Sequence, residues 1–321
     1  MPDIIDVEKP LETFVPSEWI GTGKTYPQST KIPQFIAQAY DDTYTVPETT
    51  RRQLVHDPTR RVRSFAVASL PPPSPTPSFA GAALWFSKDP PSTELSALLN
   101  RPVPHPSTLK ALRGISGQMW FDGCVSIRDV RYNGGKDYFP LYALHLWELL
   151  DKQNTEQRHW QTSLSWISES FVQAASEDEA VFLQAQRLLD TLPWNDEVKA
   201  HTVHCTTAAF SKCLGTRWLC DDMINFFVET LRYRLKHEDP EVLACTEIGT
   251  LPLLDQVQIA VDLRDFSRRS GRYLHRVGKD IRSGRLRQVF FPANVQSTHW
   301  LTIHADLDAG IIQYGTSVQD T

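Results

Sequence analysis

The sequence RQVFFPANVQSTHWLTIHADLDAGIIQYGTSVQDT, residues 287–321, decides the fold of the C-terminal end of this chain. It predicts a strand that ends at Pro292, a loop, and then a β-hairpin. The first arm of the hairpin covers residues 299–305 and the second covers residues 311–314. Asp306 to Gly310, which lie between the arms, have the composition of a turn.

The register of this hairpin bears on chemistry, because a histidine can act as a general base when an acidic side chain orients it. His299 stands at the start of the first arm, and Trp300 follows it. A turn centred near Leu307-Asp308 places position 316 opposite His299. The residue at that position is Thr316, so the place of an orienting acid is taken by an uncharged side chain.

The composition of the whole chain is that of a soluble globular protein, with 321 residues, 41% hydrophobic and 22% charged. A net charge of −5 gives no overall attraction to nucleic acid or acidic lipid. No apolar run approaches the roughly 18 residues of a membrane span, and the N-terminus lacks the features of a signal peptide. Five cysteines without regular spacing predict reduced thiols in the nucleus or cytoplasm.

Composition changes along the chain predict three regions. Residues 1–110 are rich in proline, serine and threonine and are expected to be loosely ordered. Within them, LPPPSPTPS at 70–78 predicts a semi-rigid polyproline linker or a ligand for a proline-binding domain. Residues 111–199 are expected to be mostly helical and have no assigned role. Residues 200–321 form the third region.

Local patterns in the middle region predict further elements. GQMWFDGCVSIRDVRY, residues 117–132, predicts two short strands around the turn Asp122-Gly123. Pro140 is expected at the first position of a helix. Another helix is predicted from about Ser163 to Leu192, with an apolar stripe at helical spacing.

The stretch TRWLCDDMINFFVETLRYRL, residues 216–235, predicts a helix capped by Asp221 or Asp222. Its apolar positions are expected to form a core stripe: Ile224, Phe227 or Val228, Leu231 and Leu235. Trp218 lies just ahead of the helix, where an indole can pack against the helix entrance or line a surface groove.

Two motifs in this chain resemble those of the ubiquitin-like-protein-specific (SUMO) cysteine proteases. RWLCDDMINFF, residues 217–227, resembles the family's W-L-N-D-x-x-I-N motif, and THWLTIHADLDAGIIQYGTSV, residues 298–318, resembles its H-W-strand-D-x-x-x-x-x-I-x-Y-x-D-S-L motif. The resemblance implies an α+β, papain-like peptidase fold over residues 200–321, truncated at its C-terminus to about two thirds of the catalytic domain. The Pro-rich and helical regions precede it.

The resemblance also implies an activity, the removal of SUMO or another ubiquitin-like modifier by cleavage after its terminal Gly-Gly, with no cofactor and no metal. His299 matches the general base of the Cys-His-Asp triad. Trp218 and Trp300 match two tryptophans that roof the tunnel for the glycine tail, and Asp221 matches an aspartate that contacts the modifier. Two indoles exclude any residue with a side chain, which selects Gly-Gly.

Two departures from the family pattern predict that the chain as it stands is catalytically incompetent. Thr316 occupies the position of the triad aspartate, and in serine proteases even Asp-to-Asn at that place costs about 10⁴ in turnover. The nucleophile and the oxyanion glutamine follow the acid in the family, and no cysteine of this chain stands at that place in the sequence order: Cys124, Cys205, Cys213, Cys220 and Cys245 all precede it.

Three hypotheses follow from this pattern. The chain is a SUMO-protease-type peptidase that lacks its C-terminal third, or a non-catalytic binder of ubiquitin-like tails, or an inactive relic of the kind that mobile elements carry. A truncated sheet would expose an edge strand and apolar surface, so low solubility is expected.

Other motifs favour structural interpretations. GTGKT at 21–25 lacks the first glycine of a phosphate loop, and HTVHC at 201–205 matches no standard zinc spacing. Residues 264–287 hold nine Lys/Arg against two acids. That basic face could meet an acidic partner or nucleic acid, but a solvated helix is favoured, so nucleic acid is not an expected partner.

Overall fold

The computed structural model describes residues 34–78, 80–176, 178–200, 203–215, 219–249, 269–295 and 299–316. These residues form helices and small sheets, which confirms the predicted mixture of α and β structure. The chain divides into two compact units, Met1–Gln161 and Thr162–Thr321. This division differs from the predicted one after residues 110 and 199, because composition does not report which segments pack together.

The first unit combines helices with a small antiparallel sheet of order β1-β2-β3. Its elements are α1 (Gln34–Tyr44), α2 (Glu48–Leu54), α3 (Val62–Ala66), β1 (Phe86–Ser87), α4 (Pro106–Phe121), β2 (Ser126–Arg128), β3 (Tyr138–Pro140) and the first part of α5 (Ala143–Gln173). The core of this unit is aromatic and aliphatic, and it includes Tyr44, Trp85, Leu112, Phe139 and Trp147, all buried.

The proline-rich segment 70–78 is bonded to the first unit, so the prediction of a linker there is wrong. Prolines cannot donate a backbone hydrogen bond, but their carbonyls still accept. Pro72 O accepts from Val103 N at 2.8 Å, and Val103 O accepts from Ser74 N at 2.7 Å. Pro71 O accepts from the buried Asn154 Nδ2 at 2.8 Å.

The Asp122-Gly123 sequence ends a helix, where a hairpin turn was predicted. Gly123 has a φ of 84°, its N–H donates to Trp120 O at 3.0 Å, and Cys124 N donates to Met119 O at 3.0 Å. These two bonds are those of a helix C-cap that needs a left-handed residue. Because a glycine after an aspartate suits both a hairpin and a helix end, the sequence pattern did not distinguish them. Of the two predicted strands only the second, β2, forms.

The helix predicted over residues 163–192 is two helices. The first, α5, begins earlier, at Ala143, while Pro140 belongs to β3 and does not start a helix. The second, α6, spans Glu179–Thr191. Ala174 N donates to Phe171 O at 3.3 Å and Asp178 N to Ala175 O at 2.9 Å, so the chain turns twice between the helices.

The second unit contains the remaining elements. After α6 come β4 (Glu197–Ala200), β5 (Val203–Thr206), α7 (Thr207–Phe210), α8 (Asp221–Glu238), α9 (Pro240–Cys245), β6 (Thr246–Ile248), α10 (Arg269–Arg282), β7 (Gln288–Val295), β8 (His299–Asp306) and β9 (Ile311–Thr316). Strands β4 and β5 form a two-stranded hairpin. The other strands form a sheet of order β6-β7-β8-β9, in which only β6 and β7, among the described strands, pair in parallel.

The C-terminal hairpin forms at the residues predicted for it, as strands β8 and β9. Strand β7 continues beyond Pro292 to Val295. Strand β9 lies at the edge of the sheet, and its residues from Ile311 to Gly315 are exposed. Ile312 and Tyr314 are 74% and 75% exposed, so the outer face of this strand carries apolar side chains without a covering layer among the described residues.

Helix α8 buries less apolar surface than the sequence predicts. Met223 and Glu229 are its buried residues, whereas Phe227 and Leu231 of the predicted core stripe are 45% and 47% exposed. Phe226 packs edge-on against Phe210 of α7, with ring centroids 5.1 Å apart. The helix therefore contacts the unit through a face rotated from the predicted stripe.

Candidate functional site

The indole of Trp300 joins the two segments that the sequence analysis singled out. Trp300 is the second residue of β8, and its backbone is opposite Asn294 on β7. Its Nε1 donates a hydrogen bond of 3.0 Å to the carbonyl oxygen of Leu219, 81 residues earlier in the chain. Leu219 lies two residues before α8, so this bond holds the start of β8 against the entrance of that helix.

The entrance of α8 is acidic and differs from the predicted cap. The N-cap residue is Cys220, with φ −87° and ψ 163° and no side-chain capping bond. Its carbonyl accepts from Met223 N at 3.0 Å and Ile224 N at 3.1 Å. Asp221 and Asp222 are the first two helical residues and both are exposed. They therefore act on the positive end of the helix dipole through charge.

The structure shifts the register between His299 and Thr316. Leu301 is the residue opposite Thr316, whereas the sequence predicted His299 there. The shift arises in the turn, since Asp306 pairs with Ile311 and four residues separate them. Asp306 Oδ1 accepts from Asp308 N at 3.1 Å and Ala309 N at 2.9 Å, and Gly310 takes a φ of 67°.

The new register leaves His299 and Thr316 in a diagonal relation on neighbouring strands. Diagonal positions on antiparallel strands are separated by roughly 7–8 Å. The described pairs of these strands end with Leu301 and Thr316, so no described residue of β9 lies directly opposite His299. Trp218, the second predicted roof residue, also lies outside them, although its neighbour Leu219 holds the Trp300 bond.

Two cysteines near the start of α8 are poor nucleophiles in this state. Burial raises the pKa of the Cys205 thiol, and the nearby Asp222 carboxylate adds to the effect. Burial, with Cys220 as a smaller cause, raises the pKa of Cys213 to about 11. Because the thiolate is the nucleophilic form, both thiols stay protonated and unreactive at neutral pH.

Part of the basic segment over α10 forms ion pairs where the structure describes it, through Arg276, Arg285 and Arg287. Arg276 lies 3.4 Å from the buried Glu247 and 3.7 Å from Asp280. Arg285 also pairs with Asp280, and Tyr273 Oη donates to Glu247 at 3.0 Å. The contacts of Tyr273 and Arg276 with Glu247 attach α10 to β6. Residues 264–268 of the predicted face lie outside the described residues.

Two general searches of the described residues complete this survey. No helix in the described part of the chain is long and apolar enough to cross a membrane. No group of three or more His, Cys, Asp or Glu residues in that part is placed to hold a metal ion. In the HTVHC sequence, His204 instead lies 3.0 Å from Glu197 on the neighbouring strand.

Comparison with known proteins gives one loose structural likeness. The chain matches no protein-family model, and no curated protein sequence matches it. Among solved structures it is similar to the C-terminal Ulp1 protease domain in complex with Smt3, the yeast orthologue of SUMO, with 21% sequence identity and a TM-score of 0.31. The match covers 46% of this chain and 59% of that domain, which is less than two thirds of its length.

The Leu219 contact is the part of the site that sequence reasoning missed. The acceptor is a backbone carbonyl, which carries no residue-type signal, so only the pairing of the two motifs hinted at it. The roles of His299, Thr316, Trp218, Asp221 and Trp300 in binding or catalysis stay predictions.

Proposed function

We propose that residues 200–321 form part of a ubiquitin-like-protease-type domain that binds the Gly-Gly tail of SUMO or a related modifier without cleaving it. The observation that carries the proposal is the 3.0 Å hydrogen bond from Trp300 Nε1 to Leu219 O. It brings together the two motifs that resemble the SUMO proteases, although 81 residues separate them.

The bond supports a groove because it fixes one indole next to the residue that follows Trp218. An indole with its N–H engaged has one preferred orientation, and Trp300 is only half-buried, so part of its surface remains for a ligand. A second indole across from it would leave a slot that accepts glycine and rejects larger residues. Asp221, exposed at the helix entrance, supplies a negative charge for a basic residue of the modifier.

Binding without cleavage is favoured over peptidase activity by the residues at the catalytic positions. Thr316 has no charge with which to stabilise a histidine cation, and Cys220 of the first motif stands where the family has the asparagine of W-L-N-D. Burial also keeps Cys205 and Cys213 in the thiol form. Hydrolysis of SUMO conjugates is the second candidate function, and the nucleus or cytoplasm is the compartment that either function implies.

The test is calorimetric titration of the full chain with mature SUMO, and with SUMO that lacks its last two glycines. We expect saturable binding of the first protein and at least tenfold weaker binding of the second. Trp300→Ala should abolish the difference, and Trp300→Phe, which keeps a ring but loses the donor, should have an intermediate effect.

The matched control is Trp166→Ala, a half-buried tryptophan of the same unit that packs on Phe182 with ring centroids 6.3 Å apart. This variant should bind SUMO like the parent chain. Equal binding of SUMO with and without its last two glycines, or an unchanged preference in Trp300→Ala, would refute the groove. Release of a fluorophore from a SUMO C-terminal amide would show that the chain is a peptidase.

A further inference from the structure

Three helices of the first unit meet at the imidazole of His145. The residues around it form a group that we call the His145 junction: Asp41 and Tyr44 of α1, Arg113 of α4, and His145 and Glu148 of α5. Arg113 Nη1 is hydrogen-bonded to His145 Nε2. Glu148 Oε2 lies 3.8 Å from Arg113 Nη1 and 3.9 Å from His145 Nε2. The Tyr44 ring lies beside the imidazole, with ring centroids 5.5 Å apart. The imidazole therefore contacts side chains of both neighbouring helices.

The bond with Arg113 fixes the state of the imidazole. A guanidinium group only donates hydrogen bonds, so His145 Nε2 accepts this one and carries no proton. The ring is also hydrogen-bonded to the backbone of Tyr44. Because Nε2 is occupied, Nδ1 makes this second bond and donates its proton to the Tyr44 carbonyl. The two bonds together require a neutral imidazole with its proton on Nδ1.

The surroundings of His145 favour the neutral ring. Burial is the largest cause that lowers its pKa, and the Arg113 cation adds to it, whereas the Tyr44 bond and the Asp41 charge act in the opposite sense. Burial raises the pKa of Glu148, against the effect of Arg113. Burial also raises the pKa of Tyr44, so the phenol stays neutral. In acid, therefore, His145 gains a charge next to Arg113 while Glu148 becomes less able to compensate it.

Helix α1 has a smaller buried surface than its two neighbours. Among its described side chains, Ala39 and Tyr44 are buried. Tyr44 Oη donates to Ser116 O of α4 at 3.1 Å, and Tyr40 Oη lies 2.8 Å from Ser116 Oγ. In contrast, α4 and α5 each contribute several buried leucines and aromatic residues to the continuous core. Because elements with few buried contacts open at a lower free energy than the whole unit, α1 is the helix that the junction can release.

We propose that the His145 junction is a pH-sensitive latch. It holds the C-terminal end of α1 against α4 and α5 while the imidazole is neutral, and it releases α1 when the imidazole takes up a proton. A protonated ring has no lone pair for Arg113 and places a second cation beside the guanidinium. The folded state lowers the pKa of His145 from 6.5, so the hold is complete above pH 6.5 and is lost as the pH falls through the lowered value.

The experiment is amide hydrogen exchange of the full chain between pH 7.5 and the acid limit of folding, followed by mass spectrometry. Rates are divided by the intrinsic exchange rate at each pH, so that only protection by structure remains. Below the pH at which His145 titrates, we expect α1 to lose protection by up to about tenfold for each pH unit. Helix α4 should keep its protection until the unit unfolds. SUMO takes no part in this test, so its failure would leave the SUMO-tail proposal standing.

Two variants connect the release to the junction. His145→Gln keeps an acceptor for Arg113 and a donor for the Tyr44 carbonyl but cannot take up a proton, so α1 should stay protected wherever the unit is folded. Arg113→Gln removes the cation that opposes protonation, so release should begin at a higher pH. The matched control is Lys110→Gln, which removes a charge from an exposed position of the same helix and should leave the pH of release as in the parent chain.

Three results would overturn the proposal. The first is α1 protection that stays constant as the pH falls, as it would if Arg113 merely turned into solvent, or that falls only together with that of α4. The second is a loss of α1 protection in acid that persists in His145→Gln. The third is a nitrogen chemical shift of the parent chain at pH 7.5 that places the His145 proton on Nε2. The first and third need no variant, so they decide the matter even if the substituted proteins fail to fold.

Discussion

The two units bury their apolar residues to different depths. In the first unit Trp85 and Trp147 are essentially inaccessible and belong to one continuous core. In the second unit, which holds the site, Phe227 and Leu231 of α8 and Tyr314 of β9 are substantially exposed. The first unit is therefore held by packing, whereas the second relies more on strand pairing and single polar contacts such as Trp300 to Leu219.

This difference teaches that recognisable motifs and a well-packed core need not coincide. The segments that resemble a protease lie where packing is thin, and the part without a recognisable motif is the better packed. Substitutions of buried residues in the first unit should therefore cost more stability than substitutions of exposed residues in the second.

The largest effect is expected from Trp147→Ala in the core of the first unit. Removing a fully buried indole should lower the free energy of unfolding by about 4 kcal/mol, through lost burial and the cavity left behind. Guanidinium denaturation followed by circular dichroism measures it. Tyr314→Ala on β9 is the control and should change stability by less than about 0.5 kcal/mol. Equal costs for the two would refute the contrast between the units.

Arg131→Ala should have the next largest effect and lower the free energy of unfolding by about 3 kcal/mol. The fully buried carboxylate of Asp129 would lose the arginine that balances its charge. Arg234→Ala is the contrasting change in the second unit. Arg234 and Glu238 are 66% and 59% exposed, so this pair should contribute less than about 1 kcal/mol. Urea midpoints of both variants compare the two ion pairs directly.

Stability of the first unit should also fall in mild acid. Burial, aided by the charge of Arg113, lowers the pKa of His145 below its ordinary value of 6.5, and burial likewise lowers that of His56. The folded state therefore holds neutral imidazoles, whose stabilising contribution is complete above pH 6.5 and is lost as the pH falls through the lowered pKa values. His145→Gln, which cannot titrate, should flatten the fall.

The measurement is the free energy of unfolding of the first unit between pH 7 and the acid limit of folding. The effect should be smaller than those above, because His145 keeps a quarter of its side chain exposed. A steeper fall in the His145 variant would contradict the assigned sign.

We expect Ile312→Lys to have the smallest effect on stability and a measurable effect on solubility. A charge on an exposed edge strand discourages pairing with another chain, and Ile312 is 74% exposed. Light scattering on concentrated protein should show less self-association, while unfolding changes by less than about 0.5 kcal/mol. Val67→Lys, at an exposed position of the first unit, is the control and should leave association as it was.

The sequence predicted the C-terminal hairpin well because its signals are local. Alternating apolar residues and the turn from Asp306 to Gly310 specify both strands. The predicted register of this hairpin differs from the observed one by two residues, because the register depends on which backbone groups Asp306 binds. The Gly123 helix end and the bonded prolines of 70–78 were missed for a related reason, as both depend on contacts that residue type alone does not reveal.

The candidate site was predictable only as a pair of motifs. Trp300 and the residues before α8 could be singled out from their resemblance to a family, but their contact runs through a backbone carbonyl.

The bond between Trp300 and Leu219 has a consequence for synthesis of the chain. A ribosome makes the Leu219 carbonyl first, then α8, α9, β6, α10 and β7, before the indole that binds it. Nascent chains acquire N-terminal units first, and distant pairings form slowly. The first unit can therefore fold before the last hairpin of the second unit has been made. During that interval the Leu219 segment would be accessible to chaperones.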